Sequence, residues 1–176
     1  MKLKHFFSLI GLLGMGFGFA QKPPEEVKSK FTAEVLGQKV VSLDGRKVPI
    51  SEVLKKHEGK ILIIDFWASW CKDCILALPK TDELKKAHPE VDFVYFSLDR
   101  SDAQWKRGLE KYNIKQFENY WFDEGWKNKF NNYMELNWVP RFVVVDQTGN
   151  IAKYYAISPE DPELLETVER LKQASY

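Results

Sequence analysis

The stretch that decides the fold is Ile61-Leu62-Ile63-Ile64-Asp65-Phe66-Trp67-Ala68-Ser69-Trp70-Cys71-Lys72-Asp73-Cys74. Residues 61–67 are apolar on consecutive positions, with a single aspartate among them, rather than on alternating ones. That pattern is typical of a strand buried on both faces, in the interior of a parallel or mixed sheet. The cysteines follow directly, and apolar residues then mark one face of a helix at Ile75, Leu78 and Leu84. The sequence therefore predicts a strand–turn–helix unit with two cysteines at the start of the helix.

The chemistry of this unit lies in Cys71 and Cys74, the two cysteines of the chain. At a helix N-terminus, the Cys71 sulfur faces free backbone N–H groups and the positive end of the helix dipole, and both stabilise a thiolate. Cys74 follows three residues later on the same helix face, within the separation that a disulfide tolerates. We expect a redox-active Cys71–Cys74 disulfide in which Cys71 attacks and Cys74, which lies deeper, resolves.

Two other roles for the cysteines are open. A structural disulfide would close so short a loop that it would constrain the unfolded chain very little. A zinc site would need His57 and His88 as further ligands, and neither histidine has a paired ligand spacing. Both histidines stand in polar stretches and are expected at the surface. A redox dithiol is the interpretation we favour, and we expect no metal and no cofactor.

The rest of the chain alternates short apolar runs with amphipathic segments, which predicts an α/β fold with a central mixed sheet flanked by helices. We expect strands at 31–36, 39–43, 91–98, 141–145 and 151–155, and helices at 52–57, after the cysteines to about 87, from Ser101, and after Ser158 or Asp161. Ser51 is expected to cap the first helix, and the lysines at 80, 85 and 86 to form a solvated helix face. Residues 117–138 are rich in aromatic side chains, expected mainly in the core.

The N-terminus has the features of an export signal. Lys2 and Lys4 precede an apolar run that ends at Ala20, shorter than the ~20 residues that span a bilayer. We expect residues 1–20 to be a signal peptide cleaved after Ala20, with an uncleaved anchor as the alternative, 21–30 a flexible leader, and 31–176 one domain. The formal net charge of +1 becomes 24 − 25 = −1 without residues 1–20, so charge gives no reason to expect a nucleic-acid partner.

Residues 65–74 resemble the active-site segment of the thioredoxin superfamily, and Leu43-Asp44-Gly45-Arg46-Lys47-Val48 with Gly59-Lys60 resembles its exported TlpA/ResA-like branch. The similarity covers about residues 31–174. It implies a thioredoxin-like fold with an N-terminal β extension. It also implies an exported, periplasmic thiol–disulfide oxidoreductase whose partners are protein disulfides or thiols and an upstream dithiol electron donor. Members of this branch are mostly reductants.

The resemblance implies further site residues. Val139-Pro140 matches the family's cis-proline loop, whose backbone pairs with a substrate chain beside the attacking cysteine. Asp65 is a candidate base for the Cys74 proton, because burial raises the pKa of a carboxyl group. Trp70 is expected at the apolar rim that contacts substrate. The chain departs from many relatives in Lys72-Asp73, with no proline before the second cysteine.

Two other classes of protein share this type of fold. A peroxidase of the peroxiredoxin type would need a threonine three residues before its reactive cysteine, and position 68 is alanine. A redox-inert binding module with an incidental disulfide would fail to reduce insulin in the presence of a dithiol. That assay therefore distinguishes the binding module from the oxidoreductase.

Overall fold

Within residues 22–174, which the computed structural model describes, the chain forms a seven-stranded mixed sheet flanked by six helices. The predicted signal peptide, residues 1–20, lies outside the described residues. The strands are β1 Lys39–Ser42, β2 Lys47–Pro49, β3 Leu62–Trp67, β4 Asp92–Ser97, β5 Glu118–Trp121, β6 Arg141–Val145 and β7 Ile151–Ala156. The helices are α1 Ala33–Leu36, α2 Ile50–Lys55, α3 Lys72–Ala87, α4 Asp102–Lys111, α5 Lys129–Tyr133 and α6 Pro162–Gln173.

The strand order is β2-β1-β5-β4-β3-β6-β7. Strand β3 pairs in parallel with β4 and antiparallel with β6, and β4 pairs in parallel with β5. The β1–β2 hairpin joins the sheet by antiparallel pairing of β1 with β5, and β6 and β7 form an antiparallel pair at the other edge. The predicted α/β class, mixed sheet and N-terminal β extension are confirmed.

Strand β3 lies in the interior of the sheet, and all six of its residues are buried. Its two faces contribute to two apolar clusters, one containing Ile64 and Phe66 and the other containing Ile63. The predicted interior strand is therefore confirmed. It places the turn that follows Trp67 at the carboxyl edge of the parallel strands β3 and β4, where sites of α/β sheets commonly lie.

Two local predictions are wrong, and one strand was not predicted. Residues 31–36 do not form a strand, because the Thr32 side chain accepts the Val35 N–H and starts helix α1. Helix α2 begins at Ile50 after Pro49, so Ser51 is not its cap. The aromatic stretch 117–138 contains strand β5, which no sequence pattern indicated; its pairing partners β1 and β4 are both distant along the chain.

The expected surface position of His57 is also wrong. Its imidazole is 8% exposed and lies between two carboxylates, with Nδ1 2.8 Å from Asp92 Oδ2 and Nε2 3.3 Å from Glu118 Oε2. Burial lowers the pKa of His57, but the contacts with Glu118 and Asp92 more than offset it, and the pKa is raised. The histidine thus connects the end of α2 to the first residues of β4 and β5.

The segment 22–30 lies against the turn that follows α5. The Glu135 carboxylate accepts the Glu25 N–H at 2.7 Å and also binds the Lys28 ammonium, and the Asn137 amide donates to the Lys22 carbonyl oxygen at 2.9 Å. The flexibility expected of residues 21–30 stays a prediction.

Helix α4 packs directly on the turn between β3 and the cysteines. A Cβ atom built on Gly108 would lie 2.4 Å from Cβ of Ser69 and 3.4 Å from the Trp67 ring. Only a residue without a side chain allows this approach, so Gly108 fixes the distance between α4 and the turn.

We expect Gly108→Ala to destabilise the protein. Alanine would favour the helix by up to about 1 kcal/mol, but crowding a packed interior typically costs about 1–3 kcal/mol, and Ser69 Cβ is not the flexible end of a side chain. Urea denaturation should therefore show a net loss of stability. Arg107→Ala on the exposed face of α4 is the control and should change little. Equal stabilities of the two variants would contradict the close packing.

Candidate active site around Cys71 and Cys74

Cys71 and Cys74 form a disulfide at the start of helix α3, with their Cα atoms 5.3 Å apart. Strand β3 ends at Trp67, and the chain turns through residues 68–70 before Cys71 caps the helix. Both cysteines are buried, with 4% of Cys71 and 2% of Cys74 exposed. The structure thus has the pairing that the spacing predicts.

The two sulfur atoms have different surroundings. The Cys71 Sγ accepts the backbone N–H of Cys74 at 3.1 Å, so it occupies the N-cap position of α3. An anion at this position is stabilised by the helix dipole and by the free N–H groups of the first turn. Cys74 lies inside the first turn and has no such position. A reduced Cys71 is therefore the sulfur that the helix favours as a thiolate.

The loop before β6 reaches the same sulfur. The Cys71 Sγ lies 3.4 Å from the carbonyl oxygen of Val139, and the Val139–Pro140 peptide bond is cis. Trp70 and Trp138 are both exposed beside this contact, with ring centroids 6.4 Å apart. The structure therefore brings together Cys71, Trp70, Val139 and Pro140, the residues named from the sequence for attack and substrate contact.

Asp65 is the buried carboxyl group of β3, with 3% of the residue exposed. Burial raises its pKa to about 7, and the nearby charge of Lys85 opposes that rise. Its Oδ1 atom has no hydrogen-bond partner among residues 22–174. Burial thus acts on this carboxyl in the direction expected from the sequence, and a pKa near 7 lies in the range that suits a base near neutral pH. The role of Asp65 as a base stays a prediction.

Lys85 is a site residue that sequence reasoning missed, and the expectation that it is solvated is wrong. Its Nζ lies 3.3 Å from the ring centroid of Phe117 and donates to the Tyr95 hydroxyl at 2.7 Å. Burial lowers the pKa of Lys85 to about 8, while Asp65 acts in the opposite direction. The signal was present, because Lys85 continues the apolar stripe of α3 seven residues after Leu78.

Asp99, which follows β4, is the second residue that the sequence reasoning missed. Its carboxylate accepts the Ser69 N–H at 3.1 Å and the Ser69 hydroxyl at 2.7 Å, and the Ser97 hydroxyl at 2.8 Å. These bonds fix the turn that delivers the chain to Cys71. An acid directly after an interior strand parallel to β3 could have indicated this contact, since the ends of parallel neighbours meet at one edge.

Among residues 22–174, no group of three or more His, Cys, Asp or Glu side chains is placed to hold a metal ion. None of the helices formed by these residues has the length and apolar character needed to cross a membrane.

The sequence is similar to that of a protein family and to those of individual proteins. A family model described as "Thioredoxin-like" matches residues 59–151, more than half of the chain. The thiol-disulfide oxidoreductase ResA of Bacillus thuringiensis is 29% identical over 93 residues, which are 52% of this chain and 51% of that protein. An H-type thioredoxin of Fagopyrum esculentum is 37% identical over 65 residues, which are 37% of this chain and 53% of that protein. The chain thus spans about half the length of these curated relatives.

Solved structures share the fold over a larger part of the chain. The solution structure of a candidate thiol-disulfide oxidoreductase from Bacteroides vulgatus superposes with a TM-score of 0.63 and 26% identity, covering 77% of this chain and 86% of that one. A secreted disulfide oxidoreductase from Mycobacterium tuberculosis gives a TM-score of 0.57 and 23% identity, covering 81% and 99%. The fold is thioredoxin-like, and the chain belongs to the Thioredoxin-like family.

The raised pKa of Asp65 predicts a pH-dependent stability. A carboxyl whose pKa is higher in the folded protein stabilises it most below the unfolded value of about 4, and that stability is lost as pH rises through about 7. A difference of about three pKa units corresponds to on the order of 4 kcal/mol. Asp65→Asn should lose this dependence. Denaturation of the oxidised proteins should therefore show that the stability of the variant relative to the wild type rises between pH 4 and pH 8.

Glu166→Gln, at an exposed position of α6, is the control and should follow the wild-type pH dependence. Parallel curves for Asp65→Asn and the wild type across this range would show that Asp65 does not titrate near neutral pH in the folded protein.

Proposed function

We propose that this protein is a thiol–disulfide oxidoreductase that exchanges electrons with protein disulfides through Cys71 and Cys74. The observation that carries the proposal is the position of the Cys71 sulfur, which caps helix α3 and lies 3.4 Å from the Val139 carbonyl oxygen. A structural disulfide would need neither the helix N-terminus nor the adjacent loop before β6. The names of the relatives from Bacillus and Bacteroides agree with this activity.

The reaction begins with the reduced protein. The Cys71 thiolate attacks one sulfur of a substrate disulfide, a Cys71–substrate S–S bond forms, and the other substrate sulfur leaves as a thiolate. The Cys74 thiol then loses its proton to the Asp65 carboxylate and attacks the Cys71 sulfur. The Cys71–Cys74 bond forms, and the second substrate sulfur leaves. Two electrons have passed to the substrate, and an upstream dithiol returns the protein to the reduced form.

The substrate chain would bind beside Val139 and Pro140. A backbone segment next to the attacking sulfur can pair with an extended peptide in the manner of a β-strand, which holds the substrate disulfide in line with Cys71. The exposed Trp70 and Trp138 rings supply apolar surface on either side. Leu76 and Ile157, both exposed, extend this surface along a groove of about 370 Å³ that Pro140 also lines.

We propose the reductive direction and the periplasm as the place of action. The direction follows from the resemblance to the TlpA/ResA-like branch, while Lys72 and Asp73 between the cysteines act in opposite directions on the Cys71 thiolate. The apolar run before Ala20 supports export, and one structural relative is named as secreted. The equilibrium reduction potential of the Cys71–Cys74 pair tests the direction, because a lower potential makes the reduced protein a stronger electron donor. For this two-electron couple, 30 mV corresponds to about 1.4 kcal/mol.

The roles of the cysteines can be separated by trapping. Cys74→Ser should accumulate mixed disulfides with substrate proteins, because attack still occurs and resolution does not. Cys71→Ser should trap little and should lose insulin reduction with a dithiol donor. Non-reducing gel electrophoresis of both variants after export measures this. Equal trapping by both, or trapping by Cys71→Ser alone, would contradict the assignment, and failure of the wild type to reduce insulin would favour a binding module.

Export predicts a defined N-terminus. The exported protein should begin at Gln21, because small residues precede the cleavage point at Ala20. N-terminal sequencing of protein recovered from outside the cytoplasm identifies the first residue of the exported chain. Recovery of the chain with Met1 still attached in a membrane fraction would instead favour the uncleaved anchor.

A further inference from the structure

The side chain of Arg141, the first residue of β6, is fully buried and reaches back across the loop that precedes the strand. Its Nη1 donates to the Met134 carbonyl oxygen at 3.5 Å, and its Nη2 donates to the Asn137 side-chain oxygen at 3.4 Å. Both acceptors belong to residues 134–140, which we call the proline loop. The guanidinium therefore joins the start and the middle of this loop to the first residue of β6.

These contacts do not neutralise the charge of Arg141. The guanidinium carbon lies 4.2 Å from the ring centroid of Tyr155, and neither this ring nor the two oxygen acceptors carries a net charge. The Nε atom has no hydrogen-bond partner among residues 22–174. A buried cation of this kind is costly, and apolar side chains of similar volume often stabilise a fold as well or better. Folding stability therefore gives little reason for a guanidinium here, whereas its fork of donors to the loop gives a specific one.

The shape of the proline loop is imposed by its surroundings. Glu135 has a φ of 46°, in the left-handed region that a non-glycine residue adopts mainly where the structure around it holds it there. Its carboxylate accepts the backbone N–H of Glu25 at 2.7 Å, and the Asn137 amide nitrogen donates to the Lys22 carbonyl oxygen at 2.9 Å. The N-terminal segment thus holds the loop from outside, and the buried guanidinium holds it from inside.

The proline loop also carries two residues of the candidate site. The carbonyl oxygen of Val139 lies 3.4 Å from Cys71 Sγ, and the ring of Trp138, which is 48% exposed, lies at the surface. Trp138 and Val139 directly follow Asn137 in the chain, so a contact that holds Asn137 limits the positions that both can take. The contacts of Arg141 thus end one residue away from the surface proposed to receive the substrate.

We propose that Arg141 is a positioning residue for substrate binding, which holds the proline loop in place beside Cys71. This inference rests on the proposed function. A loop that is fixed before binding loses less conformational freedom when a substrate chain binds to it, so the affinity is higher. The loop contacts the substrate chain but does not supply the reacting sulfur. Arg141 should therefore affect the binding of a peptide disulfide rather than the exchange reaction itself.

The test compares a protein disulfide with a small one. The pre-reduced protein is mixed with insulin or with hydroxyethyl disulfide, which has no peptide chain for the loop to hold, and its oxidation is followed at several substrate concentrations. Arg141→Met should raise the half-saturating concentration of insulin about tenfold, because the loop is no longer fixed before binding. The rate of reaction with hydroxyethyl disulfide should stay within about twofold of the wild-type rate.

Three further variants make the comparison specific. Arg141→Lys keeps the charge but lacks the planar fork that reaches both acceptors, so it should change the response to insulin in the same direction. Asn137→Ala removes one acceptor at an exposed position and should raise the half-saturating concentration of insulin about threefold. Asn132→Ala, at an exposed position of α5, is the matched control and should leave the reactions with both disulfides unchanged.

A loss of reaction with both disulfides by the same factor would overturn the inference, because it would show that Arg141 supports the fold or the sulfur and not the binding of substrate. Urea denaturation shows which variants are folded at the assay temperature. If Arg141→Met is not folded, Asn137→Ala decides, and an unchanged response to insulin in that variant would overturn the inference alone. A wild-type protein that reacts with hydroxyethyl disulfide but not with insulin would overturn the proposed function, and this inference with it.

Discussion

The register of β3 between its two neighbours is the constraint on which the site depends. Strand β3 is buried along its whole length and pairs with β4 on one side and β6 on the other. Because side chains alternate between the faces of a sheet, a slip of one residue would move Asp65 away from Lys85 and drive Phe66 into its place. Because β3 is paired on both edges and packed on both faces, such a slip would disrupt both the pairing and the packing. The same register fixes where the chain leaves the sheet, and hence where Cys71 meets helix α3 and the loop before β6.

The two cysteines have different surroundings, and this difference supports the different roles proposed for them. Cys71 lies at the N-cap of α3 next to the loop before β6, and the helix N-terminus suits an attacking anion. Cys74 lies inside the first turn of the helix, and the candidate base for its proton, Asp65, is a buried carboxyl whose pKa burial raises to about 7. The asymmetry comes from the positions of the two sulfur atoms relative to the N-terminus of α3 and to the loop before β6. The Lys72-Asp73 dipeptide carries opposite charges, which act in opposite directions on the Cys71 thiolate.

Sequence reasoning succeeded where short-range patterns decide the structure. The consecutive apolar residues of β3, the helix after the cysteines and the serine cap of α4 are local signals, and the structure has all three. The resemblance also pointed to the cis bond at Val139–Pro140. Strand β5 was not predicted from the sequence, because it is defined by its pairing with β1 and β4 and not by a local pattern of residues.

The missed side chains have the same explanation. Lys85 has the charge of a surface residue, and only the rings of Phe93, Tyr95 and Phe117 make its position an interior one. Asp99 has its role because β4 ends beside the Ser69 turn. The helical spacing of Lys85 and the place of Asp99 after a strand were local signals, but the contacts of both residues form only when the strands and α3 pack together.

The position of Cys71 as a helix cap couples redox chemistry to folding. Oxidation replaces an anion at the cap by a neutral sulfur, so the first turn of α3 loses a favourable charge whenever the disulfide forms. Capping interactions are worth about 1 kcal/mol, which equals roughly 20 mV for a two-electron couple. Folding and reduction share one thermodynamic cycle. Any substitution along α3 that stabilises the reduced form more than the oxidised form must therefore make the protein a weaker electron donor by the same amount.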